Sequence, residues 1–198
     1  FFFKQKTAYE IPKRDWSSDV CSSDLWAAPP AMKQLIVNAD DFGYTPGVNR
    51  AIVEASRATG GGIITATSLM ANGAAFDDAV ALAARHPALD VGCHLNLVEG
   101  KSVAPPAEVA GLLNHGNFGG AGWLALALLS GAARQDEIER ECASQVERLI
   151  AAGIQPSHLD THQHTHLHPR VARAVARTAR RFGIAWVRRP FESFAPAG

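Results

Sequence analysis

Only three cysteines occur in 198 residues, and Cys21 falls in an N-terminal stretch that does not read as folding sequence. The other two, Cys93 and Cys142, form no CxxC pair, which excludes a disulfide framework. They fit a reducing compartment, and the expectation is a cytoplasmic protein. Charge of one sign is also lacking. Nineteen basic residues face nineteen acidic ones, so there is no basic excess for nucleic acid. Long hydrophobic runs are missing as well: Trp123–Ala133 is apolar but too short to span a bilayer. No strong internal repeat and no Pro/Ser-rich linker interrupts the region after Met32. One domain is expected there, rich in Ala, Gly, Val, Leu and Arg.

The beginning of the chain has no periodic pattern. Lys4–Ile11 and Arg14–Leu25 resemble translated sequencing-adapter DNA, most closely in "WSSDVCSSDL". A signal peptide is not expected in this stretch, because no charged start leads into an apolar core and a small-residue cleavage site. Trp26–Ala31 reads as translated upstream DNA. Residues 1–31 are therefore expected to be non-native and disordered, with Met32 the native start and 32–198 the domain.

From there strands and helices alternate. Short β-branched or apolar runs predict strands over Gln34–Ala39, Ile63–Met70, Leu89–Val98, Ser157–His162 and Ile184–Arg189. Apolar residues at helical spacing predict helices over Gly47–Thr59, Ala74–His86, Gln135–Gly153 and Arg170–Gly183. Glu99–Gly122, rich in Gly and Pro, reads as irregular. Repeated β-α units imply a parallel sheet covered by helices, with chemistry at the C-terminal ends of the strands.

Histidine is what the sequence does have. Five of its eight histidines lie in "HLDTHQHTHLH", His158–His168. Every polar group of interest there falls on an even number, so an extended chain would turn them all to one face. Two further clusters lie at predicted strand ends: "NADDFG" at Asn38–Gly43 and "GCHLNL" around His94. Taken singly, each has an ordinary reading: a polar loop, a solvated turn, a hydrogen-bonded core histidine. Together they lie at one sheet edge, and Asp, His, His with open positions is the donor set of a catalytic divalent cation. Adjacent Asp40 and Asp41 can divide the work, one ligating and the other taking a proton. The residues alone do not say which does which. Not every histidine can ligate, because coordination number and an open water position forbid it. His164 or His166 is expected beside the metal, bonding a ligand or substrate, with His166 the catalytic candidate. His168 is expected near the helix start that Pro169 opens.

"LIVNADDFG", "TATSLMANG", "VGCHLNLVEG" and "HLDTHQHTHLHP" occur in that order, and from about Lys33 onward the chain resembles the YdjC-like carbohydrate deacetylases, the group containing chitooligosaccharide deacetylase. "VEGKSVAPPAEVAGLL" and "VRRPFES" look most like the hopanoid-biosynthesis-associated HpnK branch. The resemblance implies a distorted TIM-like (β/α) barrel of the glycoside hydrolase/deacetylase type, here truncated at the C-terminal side. Such proteins continue through further strands, one bearing a Cys-His-Pro type motif that this sequence does not contain. It also implies a divalent metal, magnesium by resemblance, with zinc favoured by the imidazole ligands. His94 and His162 match the metal histidines. By analogy Asp41 is the third ligand and Asp40 the base. The expected substrate is an N-acetylated sugar or glycolipid: chitooligosaccharide or hopanoid-linked N-acetylglucosamine. A homodimer is a candidate assembly. The competing readings are another metal-dependent hydrolase of the phosphoesterase or amidohydrolase type, and a metal-binding domain without turnover.

Overall fold

The computed structural model describes residues 5–6 and 35–189. Five parallel strands form the body of one sheet: β2 (Ile36–Phe42), β3 (Ala66–Leu69), β4 (Asp90–Leu95), β7 (His158–Thr161) and β8 (Trp186–Val187). They lie side by side in chain order. A two-residue strand, β1 (Gln5–Lys6), pairs antiparallel with Ile36–Val37 at the outer edge. The remainder of the stretch read as non-native lies outside the described residues. Residues 190–198, which hold part of the "VRRPFES" segment, do so too. The sheet does not close into a barrel among the described residues, but its strand order is the sequential one that a singly wound barrel uses.

Helices supply the crossovers. Thr45 caps α1 (Pro46–Glu54) by accepting from the Val48 N–H at 3.2 Å, and Pro46 opens it. The first turn of α2 (Phe76–Arg85) carries Asp77 and Asp78, which suit the positive end of the helix dipole. β4 and β7 are joined by the longest connection. It contains a hairpin of β5 (Leu113–Asn114) and β6 (Asn117–Phe118), then α3 (Gly120–Ser130) and α4 (Gln135–Ala151). His115 and Gly116 both have positive φ, as a two-residue hairpin turn of the primed kind requires. The sequence reading left this hairpin inside an irregular stretch. It also missed α3, which begins at Gly120. The helix starts in glycine and is apolar around its whole circumference, with Leu126 and Leu129 exposed, so it carries no helical period.

The core is one continuous cluster between sheet and helices. Phe42, Leu69, Cys93, Leu95 and Leu159 from the strands meet Ile138, Cys142, Val146 and Leu149 of α4 and Val171, Ala174 and Val175 of α5 (Pro169–Arg181). Both cysteines are buried and free, and burial raises their thiols above the ordinary range, so neither is a nucleophile. No helix among the described residues is long and apolar enough to cross a membrane.

Candidate metal centre

Every parallel strand delivers a functional side chain at its C-terminal end. On β2 the delivery depends on a bulge. Ala39 pairs with Thr67 and Phe42 with Leu69, so Asp40 and Asp41 together oppose the single Ser68. An extra residue of this kind bends a strand and re-aims its side chains. Asp41 takes a left-handed backbone, φ 66°, uncommon for a residue with a Cβ. The two neighbouring carboxylates consequently face different partners. Tight packing fixes the turn that follows: Gly43 donates to Asn49 Oδ1 at 2.6 Å and accepts from Ala75 N at 2.9 Å.

Asp41 faces two histidines. Its Oδ1 lies 2.9 Å from His162 Nδ1 and 3.3 Å from His94 Nε2. The two ring nitrogens are themselves 3.3 Å apart. Donors at the corners of a tetrahedron around a zinc-sized ion are separated by about 3.3 Å, given bonds of roughly 2.0–2.1 Å. One carboxylate oxygen and two imidazole nitrogens therefore already stand at ligand spacing. His94 is buried, whereas Asp41 is 40% exposed, so the cluster is open on one side. The three sequence-assigned ligands, Asp41, His94 and His162, are the three that the fold brings together.

The electrostatics suit a cation. Burial opposes ionisation of Asp41, yet the bonds from His162 and His94 hold it well below the usual carboxylate range. Burial would likewise discharge His94, but Asp160, with help from Asp41 and Asp40, raises its imidazole to about 9. Without metal His94 then carries protons on both nitrogens, donating from Nδ1 to Asp160 at 2.6 Å. A cation would take the place of the Nε2 proton.

Asp40 faces the other way. It accepts from Asn38 Nδ2 at 2.8 Å and from both terminal nitrogens of Arg188, one of them at 2.7 Å. Those three bonds use most of the roughly four acceptor sites of a carboxylate. Burial pushes the Asp40 carboxyl up, but the Arg188 guanidinium holds it below the ordinary value. Arg188 also reaches Asp160 Oδ2 at 2.7 Å. Asp40, His94 and Asp160 also gather one ligand atom each within 4.8 Å of one another. That second group is already neutralised by Arg188, so a cation there would compete with a buried guanidinium.

Of three further polar residues of this centre, the sequence singles out only Asp160, as one of the even-numbered polar groups. Ser68 donates to Asp160 at 2.8 Å and receives Asn38 at 2.9 Å. Asp160 lies in the histidine tract and on its even-numbered face, yet it acts behind His94. Arg188 is a basic residue in a basic segment, and nothing in sequence distinguishes it from its neighbours.

The extended alternation stops at Thr161. Residues 162–167 turn into a 3-10 segment in which Gln163 and His164 have φ of 52° and 54°. This takes the later histidines out of register with His158 and Asp160. His166, expected beside the metal as a catalytic group, is placed elsewhere. It is buried, with Nδ1 against Thr161 Oγ1 and Nε2 against the Arg188 carbonyl at 3.1 Å. Burial also lowers its pKa. Both ring nitrogens are engaged by the protein, so His166 supports the backbone that carries Arg188 and lies outside both ligand clusters. His158 sits between Ser68 and Ser157 and belongs to neither ligand group. His168 caps α5, accepting from Arg170 N at 3.3 Å, as its place before Pro169 predicts.

Residues 34–198 match the family described as YdjC-like protein. The chain is 45% identical over 153 residues to a carbohydrate deacetylase of Geobacillus stearothermophilus, covering 77% of this chain and 58% of the relative. It is 43% identical over 152 residues to a chitooligosaccharide deacetylase of Salmonella typhimurium, covering 76% and 57%. The chain thus spans less than three fifths of the length of these relatives. A crystal structure from Enterococcus faecalis V583, of a protein described as a candidate for cellobiose-phosphate cleavage, superposes with a TM-score of 0.71. The two are 27% identical, over 80% of this chain and 59% of that one.

Proposed function

Because this chain belongs to the YdjC-like protein family, we propose that it is the metal-binding part of a hydrolase that removes the acetyl group from an N-acetylated sugar. One observation carries the reading: Asp41, His94 and His162 converge at ligand spacing, and the ionised Asp40 stands on the same bulge. Asp41, His94 and His162 would hold a divalent cation. The relatives' names point to the substrate class and to a chitooligosaccharide as one candidate; a hopanoid-linked N-acetylglucosamine is the candidate suggested by the HpnK-like segments of the sequence. Magnesium is the family expectation. Two imidazoles beside one carboxylate are a donor set better suited to zinc.

When bound, the cation supplies Lewis-acid polarisation of the acetyl carbonyl and acidifies water. The chain's own residues do the remainder. Asp40, kept anionic by Arg188, accepts a proton from the attacking water, and that proton is then available to the amine that leaves as the acetyl C–N bond breaks. Asp160 holds the Nδ1–H of His94, which fixes the ring so that Nε2 points into the cluster. Ser68 and Arg188 keep Asp160 in place. His166 and Thr161 anchor the backbone behind Arg188, so their role is positioning.

The test is acetate release. The full-length protein that contains this chain, loaded with zinc or magnesium, should release acetate from N-acetylated chitooligosaccharide, and Asp40→Asn in it should suppress turnover while keeping the metal. Phosphate release from a phosphorylated disaccharide, with no acetate from any N-acetylated sugar, would favour the phosphoesterase reading instead.

A further inference from the structure

His94 and His162 are built alike, and the likeness exposes a residue not yet assigned. Each ring turns one nitrogen toward Asp41 and the other toward a second carboxylate. For His94 these are Nε2 inward and Nδ1 to Asp160 at 2.6 Å. For His162 they are Nδ1 inward and Nε2 facing Glu99 Oε1 at 3.4 Å. Glu99 comes from the loop after β4, a segment that carries no other part of the cluster.

That loop is held with unusual care for a surface connection. Gln145 of α4, fully buried, accepts from the Asn96 N–H at 2.9 Å and donates to the Asn96 carbonyl at 2.6 Å. Asn96 Oδ1 in turn accepts from the N–H groups of Val98 and Glu99, each at 3.0 Å. The Glu99 carbonyl receives the amides of Asn96 and Asn72, both at 2.9 Å. The Glu99 side chain is held as well. Gln163 donates to Oε1 at 2.9 Å, and the Tyr44 hydroxyl reaches Oε2 at 3.3 Å. A half-exposed glutamate with no task would be left to solvent, because fixing a long charged side chain costs rotamer entropy.

We propose that Glu99 is the positioning residue of His162: it accepts the Nε2–H and so selects the tautomer whose Nδ1 is free for a cation. Asp160 does the same for His94 from the buried side. The inference rests on the reading that Asp41, His94 and His162 hold a metal. A carboxylate behind a ligating histidine fixes both tautomer and ring orientation, and its loss weakens metal binding by about 10–100-fold. Glutamine keeps an acceptor oxygen at the same reach, so the proposal separates orientation from simple charge.

The experiment is a zinc titration of the purified protein and its variants, combined with the ¹⁵N–¹H histidine spectrum. Glu99→Ala should weaken zinc binding by about 10–100-fold and lower the Nε2–H population of His162 in favour of the Nδ1–H that donates to Asp41. Glu99→Gln should restore both the affinity and the tautomer. Glu99 is 38% exposed and its backbone bonds survive either change, so the melting temperature should stay put. His94→Ala serves as the reference. If His94→Ala loses zinc and Glu99→Ala binds as wild type, the positioning role is overturned and the metal centre stands. If Glu99→Gln is as weak as Glu99→Ala, charge is at work and the orienting role is equally overturned. If His94→Ala itself retains full affinity, the metal reading fails, and this inference with it.

Discussion

Arg188 and Asp40 meet at 2.7 Å, although they stand at opposite sides of the parallel sheet, with β3, β4 and β7 between their strands. Four strand spacings in a flat sheet would set them about 19 Å apart, far beyond the reach of an arginine side chain. The sheet must therefore curl strongly at its C-terminal edge. The curl draws the ends of all five strands around one point, so the ion pair both depends on the curvature and helps maintain it.

Arg188→Ala should consequently cost more than a surface ion pair would. Two carboxylates, one of them fully buried on β7, would lose their counter-charge. Breaking a buried pair from one side costs about 3–5 kcal/mol. Chemical denaturation should show a loss of that order. Arg188→Lys should recover only part of it, since an ammonium cannot bridge both carboxylates bidentately. His166→Ala should show a smaller loss with metal content retained, because it removes a support behind Arg188 and no ligand. Normal stability in Arg188→Ala would show that the curl is set by packing alone.

Much of this centre was legible in the sequence. Strand–helix alternation puts the Asp40–Asp41, His94 and histidine-tract clusters on one edge, and the family resemblance then singled out Asp41, His94 and His162 within them. What alternation could not supply is the local backbone. The bulge at Asp40–Asp41 and the left-handed pair Gln163–His164 break the two-residue period at the two points where chemistry is concentrated. The expectation for His166 assumed it would stay near the cluster. The 3-10 turn instead folds it back beneath Arg188. Ser68 and Arg188 escaped notice because their role depends on curvature, which no periodicity encodes, whereas Asp160 was visible on the even-numbered face but not as the partner of His94.

Metal content should follow the ligand cluster and ignore the rest of the histidine tract. His94→Ala, His162→Ala and Asp41→Ala should each lose bound zinc in dialysed protein measured by elemental analysis. His158→Ala should stay near wild type, since its contacts run to Ser68 and Ser157. Full occupancy in either of the first two variants would remove the assignment.

Gly73→Ala should damage the centre from a distance. A Cβ at Gly73 would lie 2.2 Å from the Gly43 carbonyl oxygen, an overlap with backbone that no rotamer change relieves. Gly43 closes the turn that follows the Asp40–Asp41 bulge. Overpacking of this kind costs about 1–3 kcal/mol, and the shift should also weaken zinc binding. Gly61→Ala, where the added Cβ meets nothing, is the matched control and should leave zinc affinity unchanged. Equal zinc affinities in the two variants would mean that the turn does not set the position of Asp41.

Glu141 on α4 offers a pH test away from the ligands. Its carboxylate is fully buried and accepts the N–H groups of Val103 and Ala104, both at 2.9 Å, and the amide of Gln145 at 2.8 Å. Burial raises its pKa above the ordinary 4.5, and the three bonds to the charged form only partly offset this. The fold therefore binds this proton more tightly than the unfolded chain does. By linkage, the resulting stability is fully present below about pH 4.5 and is lost as pH rises through the folded value. Glu141→Gln cannot titrate, and it keeps one acceptor oxygen for three donors, so it should be less stable than wild type at low pH. The gap between the two proteins should narrow as pH rises from 4 toward neutrality, because only wild type then takes on a buried charge. Denaturant midpoints across that range measure the gap directly. A constant gap would show that Glu141 ionises with its ordinary affinity. A widening gap would mean that the bonds from Val103, Ala104 and Gln145 outweigh burial, reversing the sign assigned here.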